Sequence, residues 1–467
     1  MRERYDVVII GGGPGGYVGA IRAAQLGLRV ALVERAKVGG TCLHVGCIPT
    51  KAMLHTAEVF ESVKGGKDLG ITTTGVALDL AAVHARKARV VEQLYKGTLG
   101  LMRKHKVGMF EGEGRFLAAD TIGVALHDGS ETELAAAHVV IATGSAPRSV
   151  PGITIDNDRI IDSTGALALT DVPGSIAILG AGPVGVEFAS LFRAFGSDVT
   201  VIELLPTLVP LEDEEIGQAL ECSFARRGIA VRTKTTATGA VVKDGRVHLT
   251  LATGDQTSAL EVDYLLVAVG RSPVTDGLAP GEAGVAVEKG AVKVDAQLRS
   301  SVPTVFAIGD VITGQAPYRL AHVASDEAIS VMERIAGGEG HPLNYDAVPR
   351  PTFSFPQVAT MGLSERAARE AGHDVKIGRF PFSANSKASI DGAREGFVKI
   401  VVDASIGELL GVHLIGPGVT ELLAEGVATK YLEGTVTELA GAVHSHPTLS
   451  EAVKEAALDA MGRVLHF

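Results

Sequence analysis

The sequence contains one strand–turn–helix–strand pattern twice, and each copy has a glycine-rich turn. In the first copy the apolar run Val7–Ile10 leads into Gly11-Gly12-Gly13-Pro14-Gly15-Gly16, and the following strand ends at Glu34. The second copy has Gly180-Ala181-Gly182-Pro183-Val184-Gly185 and ends at Glu203. Such glycines permit a tight turn, a close approach to pyrophosphate and packing of the helix on the strand. The repeat predicts an α/β fold with two Rossmann-like dinucleotide-binding units.

The acidic residue that ends each unit has a defined place in this pattern. A carboxylate there accepts a hydrogen bond from a ribose hydroxyl. Glu203 would repel a ribose 2′-phosphate, and Leu204 and Leu205 follow it where arginines would bind that phosphate. The second site is therefore predicted to take NAD and not NADP. The alternatives are a surface acid with no bearing on coenzyme choice and, for Glu34, a surface glutamate after a glycine-rich turn.

Length and charge limit the organisation and the partners. A chain of 467 residues with 46% hydrophobic content can form about three or four domains. A formal charge of -11 argues against a general nucleic-acid surface. The first residues enter a strand without the regions of a signal peptide, and no stretch is long and apolar enough to span a bilayer. We expect a cytoplasmic protein that binds neither nucleic acid nor membranes.

Periodicity adds further elements. Residues 79–105 have helical spacing, and residues 112–134 alternate like strands separated by turns. From about Pro349 the pattern changes to strands and then to two late helices at 418–433 and 450–461. This change indicates a separate α+β domain at the C-terminus.

Cys42 and Cys47 are a close pair in a chain with three cysteines, which suggests catalysis in a reducing compartment. On a straight α-helix their Cα atoms would lie roughly 8 to 9 Å apart, which is too far for a disulfide. A bonded pair therefore needs a distorted turn, for which Gly46 supplies freedom, and Pro49 can begin a regular helix. A helix N-terminus would stabilise a thiolate. The alternative is two reduced cysteines packed as small residues, and we expect Cys222 to be buried in that way.

The segment Gly39-Gly40-Thr41-Cys42-Leu43-His44-Val45-Gly46-Cys47-Ile48-Pro49-Thr50-Lys51 resembles the redox-active signature of the pyridine nucleotide-disulfide oxidoreductases. The resemblance continues through Ala142-Thr143-Gly144, Val267–Arg271 and Phe306–Asp310, and so covers essentially the whole chain. It implies that the first nucleotide-binding unit takes FAD and the second takes NAD or NADP, of which Glu203 favours NAD. It also implies a redox disulfide between Cys42 and Cys47.

The resemblance assigns further residues to FAD. Asp310 would hydrogen-bond the ribityl chain. The adenine half of FAD would be lined by Gly114, Thr143, Gly144 and Ser145. The flavin would be lined by Arg319, Leu320, Ala321 and His322.

Other implied residues lie near NAD or between the cofactors. Ala237 and Gly270 would neighbour NAD. Lys51 and Glu187 would pair near the flavin, although either could be an exposed charge at the end of a helix. No metal site is implied.

The segment His444-Ser445-His446-Pro447-Thr448-Leu449-Ser450-Glu451 favours a dithiol substrate. A dithiol must lose a proton before it attacks a disulfide, and an imidazole can take that proton. A carboxylate on the other ring nitrogen fixes the tautomer. His446 and Glu451 match the family's base and orienting acid, with His444 secondary. Alternatively, Thr448 and Glu451 form a capping box for the following helix.

Together these features imply four domains: FAD-binding (1–147), NAD-binding (148–270), central (271–345) and interface (346–467). The expected activity is oxidation of protein-bound dihydrolipoamide with reduction of NAD. The family further implies a homodimer whose active site is shared between the subunits. It also implies that the partners are the lipoyl domains of the acyltransferase components of 2-oxo acid dehydrogenase complexes, or that the enzyme acts in glycine cleavage. Two alternatives remain: an NADH-dependent reductase of another disulfide or a quinone, and a non-catalytic nucleotide-sensing flavoprotein.

The sequence departs from the family pattern at a few positions. Thr50 replaces a usual serine and His44 a usual asparagine within the cysteine segment. Val323 and Gln357 replace a usually basic and a usually acidic residue, which bears on the substrate channel and on dimer contacts.

Overall fold

A computed structural model describes residues 3–313 and 318–467. Contacts divide the chain into two compact units. The first combines the chain through Met53 with Ala81–Arg148 and Arg271–Tyr345. The second combines Leu54–Leu80, Ser149–Gly270 and Asp346–Phe467. The division of each unit into predicted domains stays a prediction.

The helices of the described residues, in chain order, are α1 (Pro14–Gln25), α2 (Gly40–Val45), α3 (Cys47–Lys64), α4 (Leu80–Lys104), α5 (Ser163–Ala166), α6 (Pro183–Phe195), α7 (Glu214–Arg226), α8 (Ala321–Ile335), α9 (Glu365–Glu370), α10 (Ser386–Ile390), α11 (Val419–Tyr431), α12 (Val436–Gly441) and α13 (Glu451–Ala460). The strands are β1 (Glu3–Ile10), β2 (Val30–Glu34), β3 (Gly108–Ala118), β4 (Thr121–Leu126), β5 (Glu131–Ile141), β6 (Ser145–Pro147), β7 (Ile160–Ile161), β8 (Ser175–Leu179), β9 (Asp198–Ile202), β10 (Ala230–Arg232), β11 (Thr235–Lys243), β12 (Arg246–Thr253), β13 (Gln256–Val262), β14 (Tyr264–Val267), β15 (Arg271–Pro273), β16 (Val287–Glu288), β17 (Ala291–Lys293), β18 (Val305–Ala307), β19 (Ile312–Thr313), β20 (Arg350–Thr352), β21 (Gln357–Gly362), β22 (Val375–Pro381), β23 (Phe397–Asp403) and β24 (Leu409–Gly416).

The first unit is organised around a parallel sheet in the order β3-β2-β1-β5-β18. The far parts of β3 and β5 join β4 in an antiparallel meander. Helix α1 buries a face of small residues, among them Gly19, which lets Ala328 of α8 approach closely. The parallel strands bring their carboxyl ends to one edge, which is where ligands bind in such sheets.

The second unit contains a parallel sheet in the order β10-β9-β8-β14-β7 and an antiparallel meander of β11, β12 and β13. Its C-terminal part is an antiparallel sheet in the order β20-β21-β24-β23-β22, against which α13 packs through Gly378. Strands β23 and β24 are buried along their whole length, as expected for a sheet whose two faces are covered.

The structure confirms the predicted α/β class and the repeated nucleotide-binding pattern. The predicted helix at 79–105 is α4, the strands at 112–134 are β3 to β5, and the late helices are α11 and α13. The short helix α12 was not predicted. Among the described residues, no helix combines the length and apolar character needed to cross a membrane.

A buried ion cluster stabilises the second unit. Lys399 on β23 is 2% exposed, and its Nζ lies 3.1 Å from Asp213, 2.6 Å from Glu215 and 2.9 Å from Glu365. Burial alone would lower the pKa of Lys399, but hydrogen bonds to Glu215 and Glu365 and the charge of Asp213 raise it above its ordinary value. The ammonium therefore compensates carboxylates at the start of α7 and α9.

We expect Lys399→Met to lower the free energy of unfolding by about 3 kcal/mol at neutral pH, because removing one partner leaves buried charge uncompensated. This expected loss lies at the low end of the usual range for breaking a buried ion pair, because Glu215 and Glu365 are partly exposed. The pKa values of Asp213 and Glu365 are lowered, so the contribution of these carboxylates is present above their unfolded pKa and is lost as the pH falls through the folded value. Denaturant unfolding at several pH values measures both effects. Lys376→Met, at an exposed position of β22, is the matched control.

Candidate active site

The two glycine-rich turns have the same geometry. Gly11 and Gly180 both have φ near +104°, a left-handed conformation that glycine tolerates. A Cβ at Gly11 would collide with the carbonyl oxygen of Ala142, and one at Gly180 would collide with that of Ala268. The third glycines, Gly16 and Gly185, pack against the first ones in the same way. Each turn thus requires glycine where the sequence pattern predicted it.

The middle glycine of each turn faces open space. A Cβ placed on Gly13 or Gly182 would have no neighbour within 4 Å. These glycines precede α1 and α6, whose first turns contain no acidic residue and receive no side-chain cap. Free amide groups and the positive end of a helix dipole attract phosphate. Both turns therefore fit the pyrophosphate of a dinucleotide.

The two strand-ending acids make equivalent contacts with their turns. Glu34 accepts hydrogen bonds from the amides of Gly12 at 2.6 Å and Ala36 at 2.7 Å. Glu203 accepts them from the amides of Ala181 at 2.7 Å and Leu205 at 2.8 Å. Glu203 is buried, which is inconsistent with the alternative of a surface acid. Both carboxylates lie beside the turn, where a ribose would be bound.

The residues predicted for FAD meet at the carboxyl edge of the first sheet. Ser145 donates to Asp310 at 2.5 Å, and Arg271 donates to the Ser145 hydroxyl at 2.7 Å. Thr143 donates to the carbonyl of Val274 at 2.6 Å. Gly114, on β3, packs against Val33 of β2 and Ile10 of β1. The structure places all of these in one unit.

The other predicted FAD residues begin a helix. Arg319 and Leu320 precede α8, and Ala321 and His322 form its first turn. Val323 is buried, which accounts for an apolar residue at this position.

In the second unit one predicted NAD residue follows a strand of the parallel sheet and the other lies in the antiparallel meander. Gly270 follows β14 and has φ of +114°, while Ala237 is buried beside a bulge of β11. Glu187 is buried on α6 and accepts a hydrogen bond from the amide of Phe353 at 3.0 Å. It is therefore not an exposed helix-end charge. Its predicted pairing with Lys51 of the first unit stays a prediction.

The cysteine pair lies on either side of a helix break. Helix α2 ends at Val45, Gly46 adopts φ -137° and ψ -114°, and α3 begins at Cys47. A Cβ on Gly46 would lie 2.8 Å from the carbonyl oxygen of Thr41. The distorted turn predicted from the spacing is thus present, and it is incompatible with a bulkier residue.

Cys42 and Cys47 are thiols in hydrogen-bond contact with each other. The hydrogen bond to Cys47, followed by burial, raises the pKa of the Cys42 thiol far above its ordinary value, while the charge of Lys51 opposes the shift. Cys42 therefore holds its proton and donates it in a hydrogen bond to the sulfur of Cys47. This contact is incompatible with two independent core cysteines.

The two departures in this segment retain structural roles. Thr50 donates its hydroxyl to the carbonyl of Gly46 at 2.6 Å, so it secures the helix break as a serine would. His44 contacts the carbonyl of Val38 through Nε2 at 2.9 Å and packs edge-on against Tyr95. Both residues hold the turn that carries the cysteines.

In the second unit, His446 Nδ1 lies 2.9 Å from Glu451 Oε1, and the imidazole is 70% exposed. The other oxygen of Glu451 accepts from the amide of Thr448 at 2.9 Å. Burial alone would raise the pKa of Glu451, but the hydrogen bonds from Thr448 and His446 lower it. One carboxylate thus contacts both the imidazole of His446 and the amide of Thr448, so half of the capping box is present. An ionised Glu451 requires the proton on Nδ1, which leaves Nε2 as the basic nitrogen.

His444 has a different environment. Its Nε2 lies 2.6 Å from Glu425, its Nδ1 contacts the carbonyl of Ala442 at 3.0 Å, and its side chain is 6% exposed. Both ring nitrogens of His444 are thus engaged by acceptors of its own unit, and its secondary role stays a prediction. Its pairing with Glu425 was not predicted.

One prediction is wrong: Cys222 is exposed on α7 and not a buried small side chain. The helix presents this residue on its polar face, because Leu220, Ser223 and Phe224 take the buried positions. Gln357 accepts hydrogen bonds from Thr420 and so has a partner within its own unit.

Sequence reasoning also missed residues beside the predicted site. Tyr17 on α1 has a pKa raised by burial and then by its electrostatic interaction with Cys42, so its phenol lies near that sulfur. Buried Glu327 and half-buried Tyr345 form a hydrogen-bonded pair beside Gly309. The available signal for Glu327 was an acid on the otherwise apolar stripe of α8, with Val323, Ala324, Ala328 and Val331.

The site combines two dinucleotide-binding turns, two cysteines in contact and a histidine paired with a carboxylate. This combination defines the class of pyridine-nucleotide-dependent oxidoreductases that act through a disulfide. Comparison with known families agrees. The model described as pyridine nucleotide-disulphide oxidoreductase matches residues 5–328, and the model of the dimerisation domain of the same family matches residues 348–457. The chain belongs to the pyridine nucleotide-disulphide oxidoreductase family.

Relatives of known name are similar over their full length. A protein named dihydrolipoyl dehydrogenase 3 from Pseudomonas aeruginosa is 44% identical, with 100% of both chains covered. A dihydrolipoyl dehydrogenase from Bacillus subtilis is 42% identical, again with 100% of both chains covered. Among solved structures, the Cu(II) complex of the HOCl-induced flavoprotein disulfide reductase RclA from Escherichia coli has a TM-score of 0.87 at 29% identity, and covers 98% of this chain and 99% of its own.

Membership fixes the coarse properties of the chain. It is an enzyme and an oxidoreductase that uses FAD and NAD, and its C-terminal dimerisation domain makes it a homodimer.

Proposed function

We propose that this enzyme is a dihydrolipoyl dehydrogenase, which oxidises dihydrolipoyl groups to the cyclic disulfide and reduces NAD. The observation that carries the proposal is the contact between Cys42 and Cys47 across the break at Gly46. A pair of sulfurs held this way closes and opens a disulfide without refolding of the chain. Full-length similarity to relatives named dihydrolipoyl dehydrogenase supports the substrate.

The thiol chemistry follows from the two sulfurs. In the oxidised enzyme Cys42 and Cys47 share a disulfide. A substrate thiolate attacks the sulfur of Cys42, which forms a mixed disulfide and releases Cys47 as a thiolate. The second thiolate of the substrate then attacks the substrate sulfur that is bonded to Cys42. This closes the substrate disulfide and releases Cys42 as a thiolate. The substrate has lost two electrons and two protons, and the cysteine pair has gained the electrons.

The protons of the substrate need an acceptor, and His446 is suited to this role. Its free Nε2 is exposed, while Glu451 holds the proton on Nδ1 and stabilises the imidazolium that forms. The electron pair of the substrate passes to the cysteine pair, so the imidazole only accepts and releases protons.

The two nucleotide-binding units hold the remaining electron carriers. When bound, FAD would supply two-electron redox chemistry between the reduced cysteines and NAD. Gly11, Gly13 and Gly16 bind the FAD diphosphate at the start of α1, and Asp310 binds the ribityl chain. Gly180, Gly182 and Gly185 bind the diphosphate of NAD, and Glu203 binds its ribose and disfavours a 2′-phosphate.

The finer organisation is proposed on the same basis. FAD-binding, NAD-binding, central and interface domains span residues 1–147, 148–270, 271–345 and 346–467. The thiol pair of one subunit works with His446 of the other. The physiological substrates are lipoyl domains of acyltransferase components in 2-oxo acid dehydrogenase complexes, or of glycine cleavage, in the cytoplasm.

Anaerobic reduction of the purified protein tests the function. We expect dihydrolipoamide to reduce the protein by two electrons with a new long-wavelength absorbance, as a thiolate comes to lie beside the flavin, and NAD to reverse this. Turnover with dihydrolipoamide and NAD should exceed that of NADH with glutathione disulfide or a quinone. Faster turnover with either acceptor would favour a different disulfide or quinone reductase. Reduction of the flavin alone, without involvement of the thiols, would favour a nucleotide-sensing flavoprotein.

A further inference from the structure

A buried carboxylate lies directly behind the proposed flavin site. Glu327 on α8 is 1% exposed. Its Oε2 accepts a hydrogen bond from the amide of Gly309 at 2.6 Å, and its Oε1 accepts one from the hydroxyl of Tyr345 at 2.9 Å. Gly309 begins the short 3-10 turn that presents Asp310. Glu327 therefore holds the backbone from which the ribityl-binding carboxylate projects.

The same helix contacts the phosphate-binding turn. Ala324, nearly one helical turn before Glu327, lies 3.0 Å from the Cβ position of Gly309. The carbonyl oxygen of Ala324 is also 3.0 Å from the Cβ position of Gly15, in the first turn of α1. One short stretch of α8 thus joins the turn that carries Asp310 to the turn proposed to bind the FAD diphosphate.

The charges around Glu327 oppose its ionisation. The charged groups that face it are Asp310 in the 3-10 turn and Asp326 on the same helix, and both are acidic; the titratable partner is Tyr345. Burial raises the pKa of Glu327 to about 7, against the opposing effect of the two hydrogen bonds, and the two nearby carboxylates add a smaller effect in the same direction as burial. Burial and the charge of Glu327 raise the pKa of Tyr345 in turn, so the phenol remains a donor.

We propose that Glu327 is a positioning residue of the flavin site and that the protein takes up a proton at Glu327, from water, when the FAD diphosphate binds at α1. The diphosphate brings negative charge to a turn that packs on the helix of Glu327, which disfavours the carboxylate further. By linkage, FAD then binds more tightly when the carboxyl is protonated. The inference rests on the proposed assignment of the α1 turn and Asp310 to FAD, and not on the identity of the dithiol.

The sign of the pH effect follows directly. Below about pH 7 the carboxyl is already protonated before FAD binds, so binding carries no penalty. Above this pH a proton must be taken up, and the dissociation constant of FAD rises. If FAD raises the pKa of Glu327 by about one unit, the dissociation constant rises about tenfold between about pH 6 and pH 9.

Equilibrium dialysis of the holoenzyme over this pH range, with released FAD measured by its fluorescence, tests the proposal without any activity assay. Glu327→Gln keeps the shape but cannot ionise, so its dissociation constant should lack the rise seen in the wild type. Asp326→Asn, at an exposed acid next to Glu327, is the matched control: Glu327 can still ionise, so the rise should be retained, displaced to lower pH because the charge of Asp326 no longer raises the pKa of Glu327. Tyr345→Phe removes a donor that favours the carboxylate, so it should move the rise to higher pH.

Two outcomes would overturn the proposal: a wild-type protein whose FAD affinity is constant over this range, or a Glu327→Gln variant whose rise equals that of the wild type. Either result leaves the proposed dithiol chemistry intact, because that chemistry is measured with dihydrolipoamide and NAD. A wild-type protein that binds no FAD would instead contradict both the inference and the assignment on which it rests.

Discussion

Replacing Cys47 with serine is expected to lower the turnover of dihydrolipoamide and NAD by at least about a thousandfold. Cys42 would still be present, but it would have no partner with which to form a disulfide, so it could not accept an electron pair from the substrate. The hydrogen bond that raises the pKa of Cys42 depends on Cys47 as well. Cys42→Ser should have a similar effect, because the substrate would have no sulfur to attack.

Cys222→Ser is the matched control for this prediction. Cys222 is the remaining cysteine of the chain and is exposed on α7, outside the proposed redox centre. We expect this variant to turn over like the wild type. Thiol titration under denaturing conditions should find about one thiol in the oxidised wild type and close to none in oxidised Cys222→Ser. A Cys47→Ser enzyme with near-normal turnover would refute the disulfide as the electron acceptor.

Replacing His446 with glutamine should lower turnover by about a hundredfold to ten-thousandfold, the usual range for loss of a general base. Glutamine can keep a hydrogen bond to Glu451 but cannot accept a proton near neutral pH. We expect the loss in kcat to diminish when the assay pH rises towards the pKa of the substrate thiols, because thiolate then forms without a base. Stopped-flow measurement of the reductive step over a range of pH resolves this effect.

His466→Asn is a suitable control, because His466 also pairs with a glutamate, Glu455, and is 71% exposed against 70% for His446. Its replacement should leave turnover unchanged. Equal losses in the two variants would indicate a general effect on the C-terminal region, and would argue against a specific role for His446.

Measurements on mixed dimers test whether the active site is shared between the two subunits. A dimer with His446→Gln on one subunit and Cys47→Ser on the other should retain up to about half of the wild-type activity if each thiol pair works with the partner's histidine, since one complete site remains. If thiols and histidine act within one subunit, both sites of the mixed dimer are defective. Activity no greater than that of the parent variants would therefore contradict a shared site.

The parts of the fold that the sequence predicted well are those with strong local signals. The turns at Gly11 and Gly180 require glycine for steric reasons, so their positions could be recognised from the residues alone. The break at Gly46 followed from the geometry that two cysteines need in order to bond. The proximity of His446 and Glu451 is also local, since α13 begins at the glutamate.

The features that were missed depend on contacts between distant segments. Tyr345 meets Glu327 only through the packing of the first unit, and Glu425 on α11 meets His444, which follows α12. The exposure of Cys222 depends on which face of α7 is buried, and its residue type predicts the opposite. Such pairs carry no motif, although a charged residue on an apolar helical stripe is a usable signal.

The hydrogen bonds from Glu34 and Glu203 to their glycine turns have a kinetic consequence. Each turn is braced by a carboxylate of its own unit, through the amides of Gly12 and Ala181. The shape of the turn is thus specified by the polypeptide and need not be induced by the ligand. Preorganisation of this kind reduces the entropy lost on association, so coenzyme capture should need little conformational rearrangement.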